Sequence, residues 1–104
     1  MDVKARQKLK VYRAIDNNYR LNVLARLHDE PDIAFNDLAK KVRIDRALLA
    51  YHVGVLKDVG LIESKYERRS KKSSKYRLTD EGIKILKEFK LVKTSTKKAK
   101  KEQQ

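Results

Sequence analysis

Residues 67–75 read ERRSKKSSK: Arg68, Arg69, Lys71, Lys72 and Lys75, with Ser70, Ser73 and Ser74 between them. Side chains of these types, this close together, hold anions. Crowded cations repel one another unless an anion neutralises them. Serine hydroxyls add small donors, and an arginine in such a stretch can enter a narrow minor groove. The plainer alternative is a solvated loop. A second set of candidates lies in residues 45–60, DRALLAYHVGVLKDVG. On a helical wheel at about 100° per residue, Leu49, Val53 and Leu56 share one face, with Leu48, His52 and Val59 beside them. The opposite face carries Ala47, Ala50, Tyr51 and Gly54, with Arg46 and Lys57 at one edge and Asp58 at the other. Such a helix buries one side and offers the other to a partner.

The outward face is poor in groups that read base edges. Bidentate readers are Arg, Lys, Asn and Gln. Here Arg46 is available to a base or to a phosphate, and the Tyr51 hydroxyl has the same two roles open to it. Ala47 and Ala50 can touch thymine methyls. Gly54 costs roughly 1 kcal/mol of helix propensity against alanine, and close approach of a partner would be a reason for it. Arg43, just before this helix, and Lys57, near its end, suit phosphate contacts, as do Lys40 and Lys41. His52 falls near the inward face and is expected to be a half-buried, hydrogen-bonded structural histidine; a phosphate contact is the alternative.

Other chemistries lack their residues. There is no cysteine, so disulfides and thiolate metal sites are excluded. The two histidines, His28 and His52, stand about two dozen positions apart, and structural roles suit both better than a metal. No Ser/His/acid set, P-loop or glycine-rich phosphate motif is present, so an enzyme is not expected. Neither a cofactor nor a metal is expected. No apolar run approaches the roughly 18 residues of a membrane span, and no signal-peptide core opens the chain. A cytoplasmic, nucleoid-associated protein is the expectation.

The elements that would position these residues can be read in order. The chain has 104 residues, 40% of them hydrophobic, enough for one small domain. Its net charge of +13 points to polyanions. Residues 1–13, 63–77 and 93–104 hold all of the excess, and the remainder balances. VKARQKLKVYRAID suits a helix with two partly apolar edges. DNN breaks it, and YRLNVLARLH makes a second, core-facing helix. DEPD is a turn and IAF a short strand. Asn36 is the expected N-cap of DLAKKV, RID turns the chain, and Asp45 caps the next helix. Gly60 stands where a helix ends on positive φ. LIESKYERRSKKSSKYRL reads as two strands around a polar tip, with Leu61, Ile62, Tyr66, Tyr76 and Leu78 as strand residues. Thr79 caps a last helix bearing Ile83, Leu86 and Phe89. KTSTKKAKKEQQ has no apolar face and is expected to be a flexible basic tail, either wrapping DNA or aiding solubility. A short helix, a three-residue turn and a second helix make a helix-turn-helix, and the hairpin after it makes a wing. The expected class is mainly α with a small β-hairpin wing (α+β), in the order α-α-(β)-α-α-β-β-α.

The segments YRLNVLARL, FNDLAKKVRID, LLAYHVGVLKDVGLI and YRLTDEG, in this order and spacing, resemble the winged-helix core of ArsR-type transcriptional regulators, archaeal ones especially. The resemblance covers most of residues 14–90. It implies a domain over residues 1–92, with helix-turn-helix 36–59, wing 61–78 and C-terminal helix 80–92, followed by the tail 93–104. It implies a recognition helix in the major groove of double-stranded DNA and a wing near the minor groove or backbone. It also implies a homodimer joined through the first and last helices, for which Leu9, Tyr12, Ile85, Phe89 and Val92 are suited; packing inside one protomer is the alternative. Many ArsR-type proteins bind metals through cysteines where this chain has Ile33–Asp37. Others use His and carboxylate pairs on the last helix, where this chain has Asp80, Glu81 and Glu88 but no His. No metal response is therefore expected. Three functions stay open: a homodimeric regulator leaning on electrostatics and shape, a weakly specific chromatin or architectural protein, and a protein-docking winged helix in a transcription complex.

Overall fold

Asp2 opens the first helix, its carboxylate accepting from the Ala5 amide at 2.9 Å, and α1 runs Val3–Ile15. Asn17 does the same for α2, Asn18–Asp29, accepting from the Arg20 amide at 3.0 Å. These caps satisfy amides that have no partner within the helix. The computed structural model describes residues 2–66 and 74–89. After α2 come β1 (Ile33–Ala34), α3 (Phe35–Val42), α4 (Arg46–Asp58), β2 (Ile62–Tyr66), β3 (Ser74–Leu78) and α5 (Asp80–Glu88). Among the described residues no helix is long and apolar enough to cross a membrane.

The sheet is antiparallel with order β1-β3-β2. Ile62 faces Leu78, Glu63 faces Arg77 and Lys65 faces Lys75, while Ile33 faces Tyr76. Arg77 anchors this sheet through Glu63 at 2.9 Å and Asp32 at 3.8 Å. Leu24 and Leu27 of α2, Leu38 of α3, Leu49 and Leu56 of α4, Leu61 before β2 and Leu86 of α5 are fully buried together. The helices and hairpin thus share one core, which fixes α4 and the base of the hairpin in one frame.

Local chemistry at the junctions agrees with the expected boundaries, with two exceptions. Asp45 accepts from the Leu48 amide at 3.2 Å and opens α4. Gly60, at φ +80°, follows its end, and the Leu61 amide closes back on the Leu56 carbonyl at 3.0 Å. Thr79 caps α5 by accepting from the Gly82 amide at 3.1 Å and donates to the Gly60 carbonyl at 2.7 Å. Gly82 sits so close to the strand that a Cβ there would strike the Leu61 carbonyl oxygen. The first exception is α3. Asn36 is not its cap: the helix starts at Phe35, after Ala34, with no side-chain cap. Pairing of Ile33 and Ala34 with β3 holds the chain extended up to that point, so strand register rather than a capping side chain sets the start. The second is α5, described as Asp80–Glu88 with Phe89 following it; residues 90–92 of the expected helix, and the expected tail 93–104, lie outside the described residues.

Candidate nucleic-acid interface

The helix-turn-helix is built from α3, a short turn and α4. Arg43 makes that turn in the left-handed region, at φ 54°, and the Ile44 amide closes back on the Ala39 carbonyl at 3.4 Å. A non-glycine residue at positive φ is uncommon, and Arg43 is held there with its side chain exposed. Asn36 accepts a hydrogen bond from Arg46 Nη1 at 3.2 Å. In place of capping α3, Asn36 brackets the first cation of α4.

Along α4, Leu49, Val53 and Leu56 are buried, as the wheel requires. Arg46, Ala47, Ala50, Tyr51, Gly54, Lys57 and Asp58 are exposed. Leu48 departs from the expectation. The wheel sets it beside the inward residues, yet it is 38% exposed. Tyr19 of α2 covers His52 by ring stacking at 5.5 Å. Gly54 has open space where a Cβ would stand, with no atom within 4 Å, so nothing inside the fold requires a glycine there.

His52 also differs from its expectation as half-buried and hydrogen-bonded. It is 4% exposed, and its Nδ1 has no hydrogen-bond partner among the described residues. Its ring lies between Tyr19 and Tyr51, the second at 5.1 Å. Burial, and then the positive charge of Arg20, push its pKa below the ordinary histidine value. The lowered pKa favours the neutral ring, which packs against these two tyrosines and is largely withdrawn from solvent.

The wing's base is coupled to this helix. Lys57 Nζ donates to Ser64 Oγ of β2 at 3.2 Å, joining the end of α4 to the first wing strand. Lys75 faces Lys65 across the hairpin. Two like charges directly opposite destabilise a strand pair, so their juxtaposition favours an anion nearby. Lys65 is a candidate that the sequence alone does not single out, because the pairing appears only once strand register is known. Arg68, Arg69, Lys71 and Lys72 lie outside the described residues. Lys41 is drawn toward Glu30, at 3.1 Å, whereas Lys40 is exposed on α3. Among the described residues no cluster of three acidic or histidine side chains is arranged to hold a metal ion.

This layout of a helix-turn-helix, a hairpin and a final helix matches the family model for the winged helix DNA-binding domain over residues 19–96. The chain belongs to the winged helix DNA-binding domain family. No curated protein matches it. Among solved structures, HlyU from Vibrio cholerae is similar at 20% identity over 86% of this chain and 94% of its own, with TM-score 0.72. The homodimeric winged helix-turn-helix DNA-binding domain Mb0332 from Mycobacterium bovis, a possible ArsR-family regulator, is similar at 22% identity over 88% and 84%, with TM-score 0.75. MepR from Staphylococcus aureus, solved as a DNA complex, is similar at 20% identity over 85% and 73%, with TM-score 0.68. These three likenesses establish the winged-helix fold.

The residues expected at a dimer contact divide. Leu9 and Phe89 are 40% and 43% exposed, and Tyr12 meets Phe89 edge-on at 5.6 Å. The Tyr12 hydroxyl donates to Glu88 Oε2 at 3.2 Å. Ile85, by contrast, is already 7% exposed inside the protomer, because it packs into the shared core; its apolar area serves the fold. Val92 lies outside the described residues.

Proposed function

We propose that this winged-helix protein is a homodimeric transcriptional regulator of double-stranded DNA, acting by binding rather than catalysis. The domain spans residues 1–92, with helix-turn-helix 36–59, wing 61–78, last helix 80–92 and a basic tail 93–104. Recognition helix α4 enters the major groove, and cations around it supply much of the affinity. The observation that carries this reading is the outward face of α4, flanked by Arg43, Arg46 and Lys57 and joined to the wing through Ser64. The homodimer of Mb0332 and the DNA complex of MepR support extending both properties to this chain. Leu9, Tyr12 and Phe89 are the exposed or partly exposed apolar residues available for the dimer contact. We place the protein in the cytoplasm with the nucleoid, on the strength of its family and of its +13 charge.

The contacts sort by chemistry. Arg43, Lys57, Lys75 and the wing cations Arg68, Arg69, Lys71 and Lys72 hold phosphates. Arg46 and Tyr51 have hydrogen-bonding groups that reach base edges, and Ala47 and Ala50 offer methyl contacts. A wing arginine reads minor-groove width. One observation favours a second reading, a weakly specific chromatin protein: Ala47, Ala50 and Gly54, exposed on the outward face, supply no side-chain hydrogen bond to a base. Selection of bound duplexes from a random pool, followed by competition against random DNA, separates the two. A regulator yields a motif preferred by at least about 10³. An A·T-rich collection without that preference supports the chromatin reading. No duplex binding at low salt, together with a stable protein complex on the apolar face of α4, would point to a docking module instead.

A further inference from the structure

An open groove of about 380 Å³ lies where α1, α2 and α4 meet, lined by Lys10, Arg13, Arg20, Tyr51, Val55 and Asp58 among others. Three of these side chains are cationic and one is anionic. Arg20 is fixed in place, its Nε donating to the Ala14 carbonyl at 2.7 Å, which leaves its terminal nitrogens as donors. Among the described residues no carboxylate stands within salt-bridge distance of Lys10, Arg13 or Arg20. A groove with this surplus of cations favours an anionic occupant.

Its place around α4 identifies the occupant. At about 100° per residue, Lys57 and Ala50 mark one edge of the outward face, Gly54 and Ala47 its middle, and Tyr51 the other edge. The Lys57 edge leads to the wing; the Tyr51 edge leads into the groove. A helix about 10–12 Å across fills a major groove about 12 Å wide, so a phosphate backbone runs along each of its flanks. We infer that Lys10, Arg13 and Arg20, in the groove that Tyr51 borders, form a second phosphate-binding flank for the same duplex, on the side of the recognition helix away from the wing. The inference rests on the DNA-binding reading above and adds a contact from α1 and α2 that neither the helix-turn-helix nor the wing supplies.

The test uses the full chain and two charge-matched variants. Lys10→Ala/Arg13→Ala removes two exposed cations of the groove. Lys84→Ala/Lys87→Ala removes two from α5, which packs on α2 and β3. Each phosphate neutralised contributes about −0.9 to the slope of log K against log salt. The groove variant should therefore flatten the slope by up to about 1.8 per protomer. In ethylation interference it should lose the phosphates of one flank and keep those of the wing flank. The α5 variant should keep the wild-type interference pattern and most of the slope. Wild-type slope and pattern in the groove variant, or an equal flattening in the α5 variant, would overturn the flank while leaving the DNA-binding reading intact. A wild-type protein that binds no duplex at low salt would sink both.

Discussion

His52 and Gly54 sit two positions apart on α4 and pull its stability in ways that can be measured separately. His52 is buried between two tyrosines with Nδ1 unpartnered among the described residues, and its pKa lies below the ordinary value of 6.5. Below that value the unfolded chain binds a proton that the folded chain resists, so stability rises with pH through this window. Urea unfolding should show full stability above about pH 6.5 and a loss as pH falls toward the depressed folded value. In His52→Gln that part of the pH dependence should vanish; an unchanged pH profile would show that His52 is not its source. Gly54 has no internal neighbour where a Cβ would stand. Gly54→Ala should raise stability by about 1 kcal/mol and weaken duplex binding several-fold, because the added methyl keeps the DNA away. A variant that is more stable and binds as tightly as wild type would remove close approach as the reason for this glycine.

The boundaries of α4 are legible in the sequence because local chemistry marks both ends: Asp45 caps its start and Gly60 follows its finish. Thr79 announces α5 in the same way, and the alternation around a polar tip gives the hairpin strands. The start of α3 is not legible, since a two-residue strand pairing across the molecule outweighs the capping preference of Asn36. Leu48 departs from its expected place for a related reason. A wheel gives the direction of a side chain but not how far the neighbouring helix reaches. The opposition of Lys65 and Lys75, and the groove shared by α1, α2 and α4, depend on register and packing that no local pattern encodes. The same packing gives a prediction for the α5 junction. A Cβ at Gly82 would meet the Leu61 carbonyl oxygen, which also accepts from the Thr79 amide at 3.0 Å. Gly82→Ala should therefore cost about 1–3 kcal/mol, the range for overpacking, in chemical denaturation. Wild-type stability would mean that the strand and helix can part without penalty.

The whole chain carries its +13 charge in two termini and the hairpin, around a body whose charges balance. Mapped onto the fold, the hairpin excess continues from the end of α4 through Lys57 and Ser64, and Lys65 and Lys75 stand opposite each other one pair short of the hairpin's described end. The outward face of α4 itself offers Ala47, Ala50 and Gly54, and few hydrogen bonds. The proposed function has affinity gained beside α4 more than upon it, and the salt dependence of DNA binding reports this division directly. A duplex titrated across salt with the wild type and with the Arg68→Ala/Arg69→Ala/Lys71→Ala/Lys72→Ala variant is the decisive measurement. A steep linear fall of log K with log salt is expected for the wild type. The variant should bind more weakly and show a slope shallower by about 0.9 for each phosphate that the wing no longer neutralises. Equal affinity and equal slope in the two proteins would contradict the account.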